Sequence, residues 1–388
     1  MPTPRPFTRF ALRGARLFDG DRVLEDHAVL INGERIERVV SHHECPSGWE
    51  VIDVGHSFVT PGFIDLQLNG CGGVLFNDAI APETLEAMHR TNLKSGTTGF
   101  LPTLITTSEE NMRRALAVVA NYRDQGRGGV LGIHLEGPYI NPERRGIHSL
   151  AAIGRPSPDM VACVIAHGRR FPVLLTLAPE CNDLRTLKEL VEGGVIVSCG
   201  HSNARYEEAL AGFEVGVRAA THLFNAMSPW TGRDPGLVGG ILDHKEVAAG
   251  IIVDGKHVHY ASVKIAKSIK QENLFLITDA VTPTGTSMTS FQFAGQTIYV
   301  KDGRCVNEDG TLGGALLTMI EAVANCVRCV GIPMPEAIRM AGLYPARVLK
   351  RDRDLGRLAM GYIANLAVFD ESFRIRGVVD RGEWLPAG

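Results

Sequence analysis

From about residue 60 to residue 350, short apolar runs alternate with stretches of helical periodicity, and this alternation leaves few folds open. TTGFLPTL is followed by TTSEENMRRALAVVANY, VLLTLAPE by LRTLKELVEG, VIVSCG by YEEALAGFEVG, and AAGIIVDG by ASVKIAKSIK. Strands separated by helices must pair in parallel, because a parallel neighbour is reached only by a crossover. Eight such units close a (β/α)8 barrel of the TIM type, with an open doubly wound sheet as the alternative. In the first helix Met112, Ala115, Leu116 and Val119 share one face, and Thr107 with Glu110 is placed to form a capping box.

The ends of the eight runs carry the chemistry. They are Gln67, Thr103, Glu136, Glu180, His201, His222, Asp254 and Asp279. All strands of a parallel barrel end on one face, so side chains more than two hundred positions apart would converge on one rim.

The termini read differently. FALRGARLFDG, HAVLINGERIERVV and EVIDVG alternate apolar and polar residues between Gly, Asn and Asp turns, and GRLAMGYIANLAVFD and FRIRGVVDRGEWL repeat the style. Residues 1–59 and 351–388 are therefore expected to form one small antiparallel β-sandwich around a barrel of residues 60–350. FQFAGQTIYVKDGRCV (291–306) reads as an inserted hairpin turning at Asp302-Gly303, either a lid or packing.

A net charge of −3 offers no field for a nucleic-acid backbone or an anionic membrane, so the partner should be a small molecule. No apolar stretch is long enough to span a bilayer and no secretory block opens the chain, which makes the cytoplasm the default. The eight cysteines are dispersed, so reduced thiols are expected, with Cys326 and Cys329 as two core thiols.

Glu136, His201 and His222 supply oxygen and nitrogen donors from three different strand ends. Three protein ligands leave a fourth position for water, the pattern of a catalytic divalent-metal site. Taken singly, each has a bland reading, since a His after Gly is more often a cap or a buried imidazole; together on one rim they point to a metal. Asp279, in LITDAV, is placed as general base and acid. Asn225, the amide of Ala226 and Arg233 in TGRDPG suit phosphate oxygens, and His257 and His148 are candidates for holding substrate oxygens.

PGFIDLQLNGCGG, LPTLITTS, GIHLEGPYIN, LAPE, SCGHSNA, ATHLFNAM, GRDPGLVG, DGKHV and ITDA together resemble the N-acetylglucosamine-6-phosphate deacetylase family of the amidohydrolase superfamily. The resemblance runs from about Thr60 into the closing strands. It implies hydrolysis of the acetamide of N-acetyl-D-glucosamine 6-phosphate to D-glucosamine 6-phosphate and acetate. It assigns metal ligation to Glu136, His201 and His222, and proton transfer to Asp279. Substrate contacts carry over to Ile147, His148, Asn225, Ala226, Arg233, the Asp254 to His257 turn, and Leu312, Gly313 and Gly314. A homodimer is implied, with Arg233 reaching the neighbouring site, and His257 is expected to help stabilise the oxyanion.

Many amidohydrolases carry His-x-His after the first strand, whereas this chain has Gln67-Leu68-Asn69. Neutral amides are weaker donors than imidazoles, so one divalent ion per subunit is expected, zinc first, with iron, cobalt or manganese also accepted. Gln67 should orient water or substrate through hydrogen bonds. Two rivals stand beside this reading: an amidohydrolase acting on a substrate without phosphate, and a catalytically silent metal-binding scaffold or sugar-phosphate sensor.

Overall fold

A computed structural model describes residues 9–387 and divides into two compact units. One comprises residues 65–91 and 100–318, the other residues 9–64, 92–99 and 319–387.

The first unit holds the barrel, save Phe63, Ile64 and residues 97–99 at the starts of its first two strands. Its strands are Phe63–Leu68, Thr97–Ile105, Ile133–Glu136, Val173–Leu177, Ile196–Cys199, Ala219–Ala220, Ala248–Ile251 and Leu274–Leu276, numbered here first to eighth. The second to eighth are paired in that order, the first pairs with the second, and a parallel bridge from Leu68 to Ala280 links the first strand to the segment after the eighth. The registers from second to eighth strand are all parallel. A two-residue strand, Gly129–Val130, joins at the edge. The first two strands are buried at every residue, which is why they read as continuous apolar runs: helices cover one face of such a sheet and the packed interior the other.

Amphipathic helices fill the crossovers. Leu184–Glu192 buries Leu187 and Leu190 and is capped by Asp183, whose side chain accepts from the Arg185 N–H. In Glu109–Asp124 all four expected face residues are buried, but the cap is Ser108, accepting from Asn111 N–H, in place of a Thr107–Glu110 box. Glu110 falls in the first turn, one position short of the reach the box requires.

In the second unit both termini join one eight-stranded sheet. Leu366–Phe369 pairs antiparallel with Phe58–Pro61, and Arg9–Phe18 pairs antiparallel with Val23–Asn32. Arg9–Phe18 also pairs in parallel with Glu50–Asp53 and with Phe58–Pro61, one partner along each half of its length. Leu12, Val29, Ile31, Leu366 and Val368 fill one core, and Ala11, Ala28, Leu30 and Val40 pack a second with Trp49. Helices Met319–Asn325, Met334–Ala341 and Leu343–Val348, grouped by sequence with the barrel, cluster with this sheet.

The 291–306 segment is a three-stranded meander, Ser290–Phe293, Gln296–Lys301 and Arg304–Val306, with a second turn at Ala294-Gly295 where both residues have positive φ. All eight cysteines are free. Cys326 is buried but Cys329 is exposed, against the expectation of two core thiols. Cys326–Val330 is a π-helical turn, wider than an α-turn, so residues three apart no longer share a face. Among the described residues no helix is long and apolar enough to cross a membrane.

Candidate active site

Glu136 is the last residue of the third strand, while His201, His222 and Asp279 lie two or three residues beyond the fifth, sixth and eighth. These last three have φ of 47°, 34° and 52°. The left-handed region costs a residue with a Cβ about 1–2 kcal/mol, so the fold holds these side chains against local preference. Backbone bonds fix the turns: Leu223 N–H donates to Gly250 O at 2.8 Å, and Asp279 N–H to Gln67 O at 3.0 Å.

The three expected ligand atoms form a triangle. Glu136 Oε1 lies 2.9 Å from His222 Nε2 and 3.2 Å from His201 Nε2, and the two nitrogens are 3.0 Å apart. His201 Nδ1 is 2.8 Å from the Arg144 carbonyl, which only accepts, so the proton of a neutral His201 sits on Nδ1 and the Nε2 lone pair faces the triangle. A carboxylate oxygen and an imidazole lone pair aimed at one point are the donor set of a divalent cation. His222 Nδ1, buried without a hydrogen-bond partner, adds a ring with no second anchor. Burial alone would push Glu136 up, but the facing His201 and His222 rings hold its carboxyl well below the usual range. Burial likewise opposes charge on His222, yet Glu136 keeps its pKa raised. The donor set therefore fits a divalent metal. A wider set, Glu136, His148 and His201, has ligand atoms within 4.8 Å of one another. The His222 triangle is tighter, and His148 bonds Thr106 Oγ1 through Nδ1 at 2.8 Å with its ring 4.3 Å from that of His201.

Asp279 stands beside this triangle. Gln67 Nε2 donates to Glu136 Oε1 at 2.9 Å and to Asp279 Oδ1 at 3.1 Å, and Asn69 Nδ2 donates to Asp279 Oδ1 at 2.7 Å. Burial, followed by the Glu136 charge, pushes the Asp279 carboxyl up to about 6. Gln67 thus bridges two carboxylates; its N–H groups, facing both, are no ligands for a second cation.

A polar floor lies beneath, and sequence reasoning missed it. His134, 1% exposed, contacts Thr176 Oγ1 at 2.7 Å and Thr103 Oγ1 at 3.3 Å, and Thr176, Thr221 and Ser198 continue the chain of hydroxyls. Asp65, also 1% exposed, accepts from Gln67 N–H, Thr278 N–H and Thr278 Oγ1. It ties the segments bearing Gln67 and Asp279 together. Burial raises its carboxyl to about 7 despite these bonds. Between roughly pH 4 and pH 7 folded Asp65 keeps a proton that the unfolded chain has released, so its contribution to stability is complete below that window and falls as pH rises through it. Asp65→Asn removes the titration. The stability of the variant relative to wild type should rise over that window, by on the order of 4 kcal/mol at most. Urea midpoints across the pH range test this, and a constant difference contradicts it.

A cavity of ≈ 430 Å³ opens on the triangle. Of the expected substrate residues, Ile147, His148, Asn225, Ala226, His257, Leu312 and Gly314 line it. Asp254 sits behind His257, accepting its Nδ1–H at 2.7 Å, and Gly313 is tied through its N–H to Cys305 O. Arg233 is not among the lining residues and is exposed on its loop. Thr103 and Glu180, also named as strand ends, serve the frame: Thr103 Oγ1 accepts from Leu68 N–H, and Glu180 accepts from Asn141, Ser202 and Asn203. Glu143, Arg144, Ile105 and Phe293 line the cavity without having been singled out.

The chain is similar to known proteins along nearly its whole length. The Amidohydrolase family model matches residues 58–385 and the NagA composite domain model residues 9–57. N-acetylglucosamine-6-phosphate deacetylase of Haemophilus influenzae is 45% identical over 97% of this chain and 99% of its own. N-acetylgalactosamine-6-phosphate deacetylase of a Shewanella species is 38% identical over 84% of this chain and 82% of its own. The crystal structure of N-acetylglucosamine-6-phosphate deacetylase from Pasteurella multocida superposes with a TM-score of 0.95 at 43% identity, covering 97% of this chain and 100% of that one. By its strand-end donors, its barrel and these matches, the chain belongs to the amidohydrolase family.

Proposed function

We propose that the chain hydrolyses the acetamide of N-acetyl-D-glucosamine 6-phosphate to D-glucosamine 6-phosphate and acetate, as a cytoplasmic homodimer with one divalent ion, zinc first, per subunit. The observation that carries this reading is the triangle of Glu136, His201 and His222 atoms, 2.9–3.2 Å on a side, joined through Gln67 to the unligated carboxylate of Asp279. The 45% identical deacetylase supplies the substrate.

When bound, a divalent ion polarises the acetamide carbonyl and brings the pKa of water from about 15.7 towards about 7. Asp279 removes the proton of the attacking water and returns it to the departing nitrogen. A carboxyl raised to about 6 by burial and by Glu136 suits both directions of that transfer near neutral pH. Asn69 and Gln67 fix the Oδ1 end of Asp279, leaving Oδ2 to carry the proton. Asp254 accepts from His257 Nδ1–H, and in the imidazolium form of the ring Nε2–H donates to substrate oxygens and the developing oxyanion. His148, Ile147 and the Leu312–Gly314 segment position the sugar.

Phosphate falls to Asn225 and the Ala226 amide after the sixth strand, and to Arg233 of the second subunit, whose exposed place off the cavity suits action across an interface. Acetate release from the sugar with and without its 6-phosphate tests this. Loss of two charge-assisted hydrogen bonds should reduce kcat/KM by at least about 100-fold. Equal turnover of the two sugars would refute the phosphate assignment, and no acetate from either would refute the function.

A further inference from the structure

Three of the apolar side chains that line the cavity, Ile105, Ile147 and Phe293, lie on one side of it, and their position around the barrel is specific. Asn225 and Ala226 follow the sixth strand and His257 the seventh. Ile105 closes the second strand and Ile147 follows the third, on the opposite side of an eight-strand ring. Ile105 is in register with Glu136, and Ile147 immediately precedes His148, whose ring lies against His201. Phe293, the last residue of the first meander strand, completes this side.

The wall is packed from behind. Ile105, Ile147 and Phe293 belong to one buried cluster with Val281, Ile298 and Cys305, and Phe293 is 2% exposed. A Cβ added to Gly313 would come within 3.2 Å of both Ile147 and Ile298, so there is little slack for the wall to retreat. On the proposed reading, a sugar phosphate over the sixth and seventh strands with its amide carbon at the triangle would direct its acyl group across to the second and third.

The geometry points to Phe293, with Ile105 and Ile147, as the gate that sets acyl-chain length: the wall takes the acetyl methyl and rejects longer acyl groups. This inference rests on the deacetylase reading, and it gives the inserted meander a role in specificity. A dry, closely packed surface discriminates by about 10–200-fold per methylene, because each extra carbon must displace side chains that have nowhere to go.

The test is kcat/KM of the N-acetyl, N-propanoyl and N-butanoyl forms of glucosamine 6-phosphate. Phe293→Ala should raise the butanoyl-to-acetyl ratio by at least about tenfold. Phe293→Leu, milder for the fold, should move it the same way by less, and it decides the matter if the Ala variant does not fold. Phe291→Leu is the control: Phe291 lies in the same strand and cluster, 6.2 Å from Phe293 between ring centroids, but does not line the cavity, so the ratio should stay at the wild-type value. An unchanged ratio in the Phe293 variants, or an equal shift in Phe291→Leu, overturns the gate while leaving the function intact. A wild-type protein that releases no acetate overturns the function, and the gate with it.

Discussion

Asp279→Asn is expected to lower kcat by about 10²–10⁴-fold while leaving metal content and substrate affinity near those of the wild type. The replacement is nearly isosteric, and its carbonyl oxygen can still accept from Gln67 Nε2 and Asn69 Nδ2, so the surroundings have no reason to move. What it lacks is a proton acceptor beside the attacking water. Proton transfer in the transition state is lost and ground-state binding is kept, which predicts a fall in kcat with little change in KM. Acetate release, metal analysis and calorimetric binding of the substrate together measure this. Turnover within tenfold of wild type would remove Asp279 from the chemistry.

Removing the divalent ion is expected to abolish activity and to lower thermal stability. Without a cation, a carboxylate oxygen and two imidazole nitrogens remain within 3.2 Å of one another, and His201 Nε2, unprotonated in the neutral tautomer, has only acceptors or a second ring nitrogen to face. A ligand that binds only the folded state stabilises it, by about 4 kcal/mol at a thousand times its dissociation constant. The midpoint of the loaded protein should therefore lie above that of the stripped protein. Identical midpoints would mean that no ion sits in the triangle.

The barrel was legible because its periodicity is redundant: strands buried on both faces read as unbroken apolar runs, and several are followed by a helix with one apolar face. The rim residues followed from topology alone, since parallel strands end on one side. The sharp turns at His201, His222 and Asp279 were not legible, because no glycine or other local signal marks a left-handed residue whose conformation is imposed by tertiary bonds. The polar floor had a signal that went unused. Asp65 stands two residues before Gln67 and His134 two before Glu136, so strand alternation aims each pair into the barrel. Gln67 was recognised for its neutrality but not for its bridge between Glu136 and Asp279, which depends on the distance between two strands. Arg233 illustrates a different limit: its type suits phosphate, yet it does not line the cavity of the single chain. The mixed pairing of the terminal sheet was hidden because alternation reveals which face of a strand is buried, not the direction of its neighbour.

The most direct test is a titration of the metal-stripped protein with a divalent ion, following acetate release from N-acetylglucosamine 6-phosphate. Activity should rise from background and level off at one equivalent of ion per chain. Full activity in the stripped protein, or a plateau reached only at two equivalents, would contradict the single-ion site of Glu136, His201 and His222.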